Sequence, residues 1–181
     1  MVEKKLKHLG IIIDGNRRFA KREGLNFEKG YEMGAERMEE LLEWLSELDI
    51  FELTLYCFSL ENFGRPKNQV DFLMKLFKDY FKKFRKDKRI KENRIKLKFV
   101  GRRELFDKEL QDLIDEIEIE TKDNKSHVLN FALGYGGRQE IINAVKQLKE
   151  KGEEISEENL QKNLWVVNDV DLIIRTGGGR G

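Results

Sequence analysis

Asp14, Gly15, Asn16, Arg17 and Arg18 follow directly on the branched apolar run Ile11, Ile12 and Ile13. A carboxylate, an amide and two guanidinium groups so close together suit the handling of a diphosphate. Gly15 lets the backbone approach a ligand closely. The helix start expected next would turn free N–H groups toward an anion. A carboxylate beside an anion repels it unless a cation lies between them. Mg²⁺, held by one or two carboxylates plus substrate phosphates, removes that conflict. The segment therefore reads as an Mg²⁺–diphosphate site with Asp14 as the metal ligand. The plain alternative for Asp14 alone is a helix cap. Neither a GxGxxG fingerprint nor a GxxxxGK[ST] loop is present here, which disfavours dinucleotides and P-loop ATP chemistry.

A second polar group lies in "FSLENFGRP", with Ser59, Glu61, Asn62, Phe63 and Arg65. One reading is a capped loop, with Pro66 opening the next helix. The functional reading has Ser59 and Asn62 position the reacting end of a substrate, with Phe63 as an apolar wall and Glu61 as an ion partner. A third group is "IIRTGGGRG", where Arg175 precedes a threonine and three glycines. It makes a second anion cradle. Two anion sites suggest two phosphorylated substrates meeting.

These groups must be brought together by the elements between them. Apolar runs predict strands at 8–13, 51–58, 94–101, 127–134 and 170–175. Helical spacing predicts helices at 30–48 (Met33, Met38, Leu41, Leu42, Leu45, Leu48), 70–84, 104–120 and 138–150, and a short one at 156–165. Residues 84–93 read as a helix end or a solvated connection. Strands alternating with helices imply crossovers and an α/β fold with a mostly parallel central sheet flanked by helices. Ligands bind beyond the carboxyl ends of such strands. The polar residues after strands one, two, four and five should therefore converge on one edge. The apolar residues of 30–48 and 70–84 serve a core, and together could line a long cleft suited to amphiphilic diphosphates.

Composition sets outer limits. With 39% hydrophobic and 38% charged residues, the chain is globular rather than disordered. Its 181 residues fit one domain. Lys+Arg total 35 against 34 Asp+Glu, so the net charge of +1 gives no case for a nucleic-acid partner. The lone Cys57 reads as core packing. His127 is expected at the surface or a strand edge. No apolar run is long enough for a transmembrane helix, and no signal-peptide pattern is seen, so a cytoplasmic location is the default. The basic stretch 82–103 is either a solvated helix face or a contact with anionic lipid.

The pieces "HLGIIIDGNRRFAKREG", "GYEMG", "LTLYCFSLENFGRPKNQVDFLM", "NRIKLKFVG", "LNFALGYGGRQEI" and "DLIIRTGG" closely resemble the cis-prenyltransferase family, the undecaprenyl or dehydrodolichyl diphosphate synthases, in its archaeal-like form. The resemblance covers residues 8 to 178. It implies a six-stranded, mostly parallel sheet, usually in a homodimer, that condenses isopentenyl diphosphate with an allylic prenyl diphosphate in cis, using Mg²⁺. It gives Asp14 the metal and the migrating diphosphate, and Gly15, Asn16, Arg17 and Arg18 the allylic diphosphate. It gives Asn62 assistance in deprotonation, within the motif of Ser59, Glu61, Asn62 and Arg65, where Phe63 replaces the more frequent tryptophan. It gives Arg175 the isopentenyl diphosphate. His8 matches a common family position.

Departures from the family pattern are Phe27 and Tyr31 where an arginine or histidine is frequent, and Gly134 where asparagine is usual. Gly179 stands where an acidic residue is expected and Gly181 where an arginine is, with Arg180 one place early and the following serine absent. On that reading 1–181 is a single, C-terminally incomplete domain lacking the family's last strand and closing helices, with its isopentenyl diphosphate site impaired. The alternative role is a non-catalytic partner subunit of a prenyltransferase.

Overall fold

The computed structural model describes residues 5–177, with all their side chains except those of Leu42, Leu45 and Ser46. The expectations for Leu42 and Leu45, and for 178–181, lie outside the described residues. Five strands form one parallel sheet: β1 (His8–Ile12), β2 (Glu52–Ser59), β3 (Ile95–Val100), β4 (His127–Tyr135) and β5 (Leu172–Arg175). Their order across the sheet is β3-β4-β2-β1-β5. Every pairing is parallel, with Leu9 opposite Leu53 and Leu172, and Leu55 opposite Phe131. All carboxyl ends therefore open on one edge, as the crossover rule requires.

The helices in chain order are α1 (Asn16–Arg22), α2 (Phe27–Glu47), α3 (Lys67–Lys86), α4 (Lys88–Glu92), α5 (Lys108–Thr121), α6 (Gly137–Lys151) and α7 (Glu157–Lys162). Their limits follow local chemistry. Pro66 precedes α3, where its missing N–H is not needed. Asp87 accepts from the Arg89 N–H and starts α4, so the stretch read as a connection holds its own short helix. Asp107 accepts from the Leu110 N–H and starts α5 later than periodicity suggests. The apolar positions before it belong to a 3₁₀ turn, Arg103–Leu105. Gly152, at φ 69°, ends α6 in the left-handed conformation that favours glycine.

Phenylalanine dominates the core between α3, α5 and the sheet. Phe131 is fully buried and Phe81, Phe84 and Phe99 nearly so. Phe81 meets Phe99 edge-on at 4.8 Å, while Phe99 stacks on Phe131 at 5.2 Å. Such pairs add to the area term by about 0.5–1.5 kcal/mol each. This cluster fixes the strand ends on which the polar residues stand. β5 is different: Leu172, Ile173 and Ile174 are 47%, 62% and 44% exposed, so burial does little to hold it.

Phe131→Ala is expected to lower unfolding free energy by about 3–5 kcal/mol in urea titrations, because it empties the centre of the ring cluster. Phe131→Leu should cost clearly less. Equal losses would mean that the cluster does not carry this face of the sheet.

Candidate active site

Asp14 leaves β1 in the groove between that strand and β5. It does not cap α1, whose N-cap position is Gly15 at φ 104°. Its Oδ2 instead accepts two hydrogen bonds from Arg175, from Nε at 2.9 Å and Nη2 at 2.7 Å. A third comes from Arg18 Nη2 at 3.2 Å. Thr176 bridges the same residue: its hydroxyl donates to the Asp14 carbonyl at 2.7 Å and accepts from the Asp14 N–H at 3.1 Å. Gly177 closes over the cluster. A Cβ there would lie 2.5 Å from Asp14 Cγ and 2.6 Å from Arg18 Nη2. The arginine side chains remain 54% and 62% exposed, and that of Asp14 30%. Pairs this open contribute only about 0–1 kcal/mol, so an arriving anion can take the guanidinium groups over at little cost.

The hydrogen bond from Arg175 holds the Asp14 carboxyl below its ordinary 3.8 against some desolvation, with the charges of Arg175 and Arg18 and the Gly15 N–H adding to it. A depressed carboxyl contributes stability above its unfolded value and loses it as pH falls through the folded one. Asp14 is therefore an anion at neutral pH.

Helix α2 seats this loop. A Cβ on Gly30 would come within 2.6 Å of Ala20 Cβ and 2.8 Å of the Asn16 carbonyl oxygen, and one on Gly34 within 2.7 Å of Asn16 Oδ1. The glycine spacing in "GYEMG" thus brings α2 against α1 and sets Asn16. No reading of the sequence assigned it that task, although small residues four apart signal close helix approach.

At the exit of β2, Ser59 and Asn62 form a reciprocal capping box on the 3₁₀ turn Leu60–Gly64. The Ser59 N–H donates to Asn62 Oδ1 at 3.3 Å. Glu61 stands exposed on that turn, its carboxyl lowered by its own backbone N–H and then by the Ser59 hydroxyl. Phe63 packs on Phe58 at 4.9 Å and on Phe106 at 5.5 Å. Arg65 donates from Nη1 to the Tyr31 hydroxyl at 2.8 Å.

Two cavities meet here. A polar basin of about 520 Å³ gathers Asp14, Gly15, Asn16, Arg17, Arg18, Lys21, Arg65 and Arg175. A narrow apolar cleft of about 50 Å³ runs between α2 and α3, past Ala35, Met38, Leu73, Phe77 and Phe84. Ile13, Asn16 and Tyr31 line both. Ser59, Glu61, Asn62 and Phe63 line neither. Cys57 faces the cleft, and burial pushes its thiol up to about 12, which keeps it protonated and inert. Tyr31, noticed in the sequence only as a departure, is the residue that joins basin, cleft and Arg65. Lys21, on α1, was missed, and Thr176 and Gly177 were read only as part of an anion cradle, since only the pairing of β5 with β1 shows their contact with Asp14.

Comparisons with known proteins agree with this geometry. The prenyltransferase family model for undecaprenyl diphosphate synthase matches residues 12–180. The tritrans,polycis-undecaprenyl-diphosphate synthase (geranylgeranyl-diphosphate specific) of Pyrococcus horikoshii is 45% identical over 181 residues, covering 95% of this chain and 69% of that protein. Lavandulyl diphosphate synthase from Lavandula x intermedia, crystallised with dimethylallyl diphosphate, is similar at a TM-score of 0.90 and 29% identity, covering 98% of this chain and 80% of that one. A probable undecaprenyl diphosphate synthase from Campylobacter jejuni gives a TM-score of 0.83 at 32% identity, covering 98% and 78%.

Arg175→Ala removes the largest influence on the Asp14 carboxyl. Its pKa, followed by carbon-13 NMR titration, should rise toward or past 3.8. An unchanged titration would show that the pair does not persist in solution.

Proposed function

Because the chain belongs to the undecaprenyl diphosphate synthase family of cis-prenyltransferases, we propose how its residues divide the work of that reaction. The protein is a transferase that condenses isopentenyl diphosphate with an allylic prenyl diphosphate into a cis-polyprenyl product. The observation that carries the assignment of roles is the junction of a guanidinium-lined basin with an apolar cleft through Ile13, Asn16 and Tyr31. An amphiphile with a diphosphate head and a hydrocarbon tail matches both halves at once.

Arg17, Arg18 and Arg65 grip the allylic diphosphate, with Gly15 and Asn16 shaping the loop beneath it. Arg175 holds the isopentenyl diphosphate. The isopentenyl double bond attacks the allylic C1 as its C–O bond breaks, and the bonding pair leaves with the diphosphate. Fixed guanidinium groups meet the charge that develops on that leaving group. The new cation loses a proton from C2 to an oxygen of the released diphosphate. Asn62, its oxygen restrained by the Ser59 N–H, presents its amide nitrogen to orient the group that accepts it. Holding both substrates in one relative pose selects the cis product. Glu61 and Phe63 support the turn that carries Asn62, and the cleft receives the tail.

Asp14 fits a divalent cation. It is a hard oxygen ligand, partly open, at the edge of a phosphate basin. Among the described residues no group of three or more His, Cys, Asp or Glu forms a closed metal site, in keeping with an ion held by one carboxylate plus substrate phosphates. Mg²⁺ bound there supplies charge neutralisation for the departing diphosphate.

Among the described residues no helix is long and apolar enough to cross a membrane. A cytoplasmic homodimer with peripheral membrane contact completes the proposal. The exposed apolar residues of β5 support an association surface.

Incubation with isopentenyl diphosphate, an allylic diphosphate and Mg²⁺ should give longer polyprenyl diphosphates on reversed-phase analysis. Asp14→Ala should reduce the rate by about 10²–10³-fold, the scale of losing one group that stabilises developing charge. Retention of full activity would remove Asp14 from its role. Tyr31→Phe keeps the ring and deletes the partner of Arg65. We expect KM for the allylic diphosphate to rise by about three- to tenfold, with KM for isopentenyl diphosphate unchanged.

A further inference from the structure

We propose that His8 is a positioning residue: a buried polar clamp at the start of β1 sets the register of β5 and so determines where Arg175 stands. The proposal rests on the reading of Arg175 as the isopentenyl diphosphate anchor.

His8 and Glu52 are 2% and 3% exposed, side by side at the amino ends of β1 and β2. The His8 Nδ1 lies 3.1 Å from the carbonyl oxygens of both Asn168 and Asp169. Carbonyls only accept, so Nδ1 carries the proton. Nε2 then takes the hydroxyl proton of Thr54 at 2.8 Å. Thr54 Oγ1 accepts in turn from Asn130 Nδ2 at 3.0 Å. Glu52 accepts from Asn130 Nδ2 at 2.7 Å and from Asn168 Nδ2 at 2.6 Å. Asp171 completes the set by accepting the N–H groups of Lys7 and His8, each at 3.0 Å. The segment entering β5 is thus tied to β1 and β2 through a network of six side chains, and the catalytic reading uses none of them.

Such a network is where a buried polar set confers specificity of arrangement. β5 needs it, because its own apolar side chains are largely exposed and supply little force to choose a register. In the observed register Arg175 pairs with Ile12, the residue two before Asp14. A slip of one residue would turn Arg175 to the opposite face of the sheet. His8 acts from about 13 Å along the strand, four residues before Ile12. The far end of β5 is held by its ladder to β1, by Thr176 and by the exposed Asp14–Arg175 pair, and substrate binding disturbs that pair. The clamp keeps the strand in place while that pair is open.

Two substitutions separate positioning from plain structural support. His8→Asn keeps a donor near the Nδ1 position, and His8→Gln keeps one near Nε2 only. With the full chain, His8→Gln should raise KM for isopentenyl diphosphate by about tenfold while KM for the allylic diphosphate stays within about twofold, and His8→Asn should restore most of the loss. Amide exchange over 172–176 should quicken by about tenfold in His8→Gln and not in His8→Asn, with the sheet centre unchanged. Asn168→Ala, at an exposed position, provides the same test without removing the buried ring and should behave like His8→Gln.

The proposal is overturned if exchange over 172–176 stays at the parent rate. It is equally overturned if kcat and both KM values change together with His8→Asn no better than His8→Gln. The exchange measurement needs no substrate. If exchange responds as expected but Arg175→Ala leaves KM for isopentenyl diphosphate unaltered, the premise about Arg175 fails, and the proposal with it.

Discussion

One carboxylate shared between two guanidinium groups is the constraint on which the site depends. Asp14 belongs to the loop after β1 and Arg175 to the end of β5, so their contact closes a span of 161 residues. Neither partner is deeply buried, and the contact has little energy of its own to give. Its placement comes from elsewhere: the parallel ladder, the Thr176 bridge and two glycines back to back. A Cβ on Gly15 would lie 3.1 Å from the Gly177 Cα. What the arrangement provides is a preassembled set of charges that exchange partners readily. A cation can take the carboxylate, and a diphosphate can take the arginines, without the fold being undone.

The molecule separates firmness from responsiveness by region. On one side of the sheet, ring against ring in the α3–α5 core makes a dense, dry body. At the other margin, β5 is an edge strand among the described residues, fastened by polar contacts. A sheet that must hold a substrate group on its last strand gains from this division. The body fixes where the strand ends lie, while local pins decide which side chain faces the ligand.

Much of this was legible in the residues. All five strands follow from apolar runs, and the crossover rule puts their carboxyl ends on one edge. Asp14 after Ile13 drew two readings, and the cap failed because Gly15 takes the N-cap position. Ser59 and Asn62 also drew two readings, and the local geometry gives them the cap, with any catalytic use of Asn62 left to its amide nitrogen. The start of α5 was misplaced because Leu105 continues the helical period, while the start signal, Asp107, is a single side chain. Tyr31, Thr176 and the His8 network were not legible as working parts. Each acts through partners distant in sequence, and spacing along a chain says nothing of which strand lies beside which.

The glycine contact between α1 and α2 has a wider reach than its size suggests. The same helix that abuts Asn16 through Gly30 and Gly34 carries Ala35 and Met38 along the wall of the apolar cleft. A methyl group at Gly30 would meet the Asn16 backbone and push the helix axes apart, loosening the loop after β1 and widening the apolar cleft in one movement, whereas one at Gly34 would meet only the Asn16 side chain. The setting of that loop and the width of the cleft are therefore not independent variables in this protein. They are two readouts of a single interhelical spacing, and selection on either one acts on both.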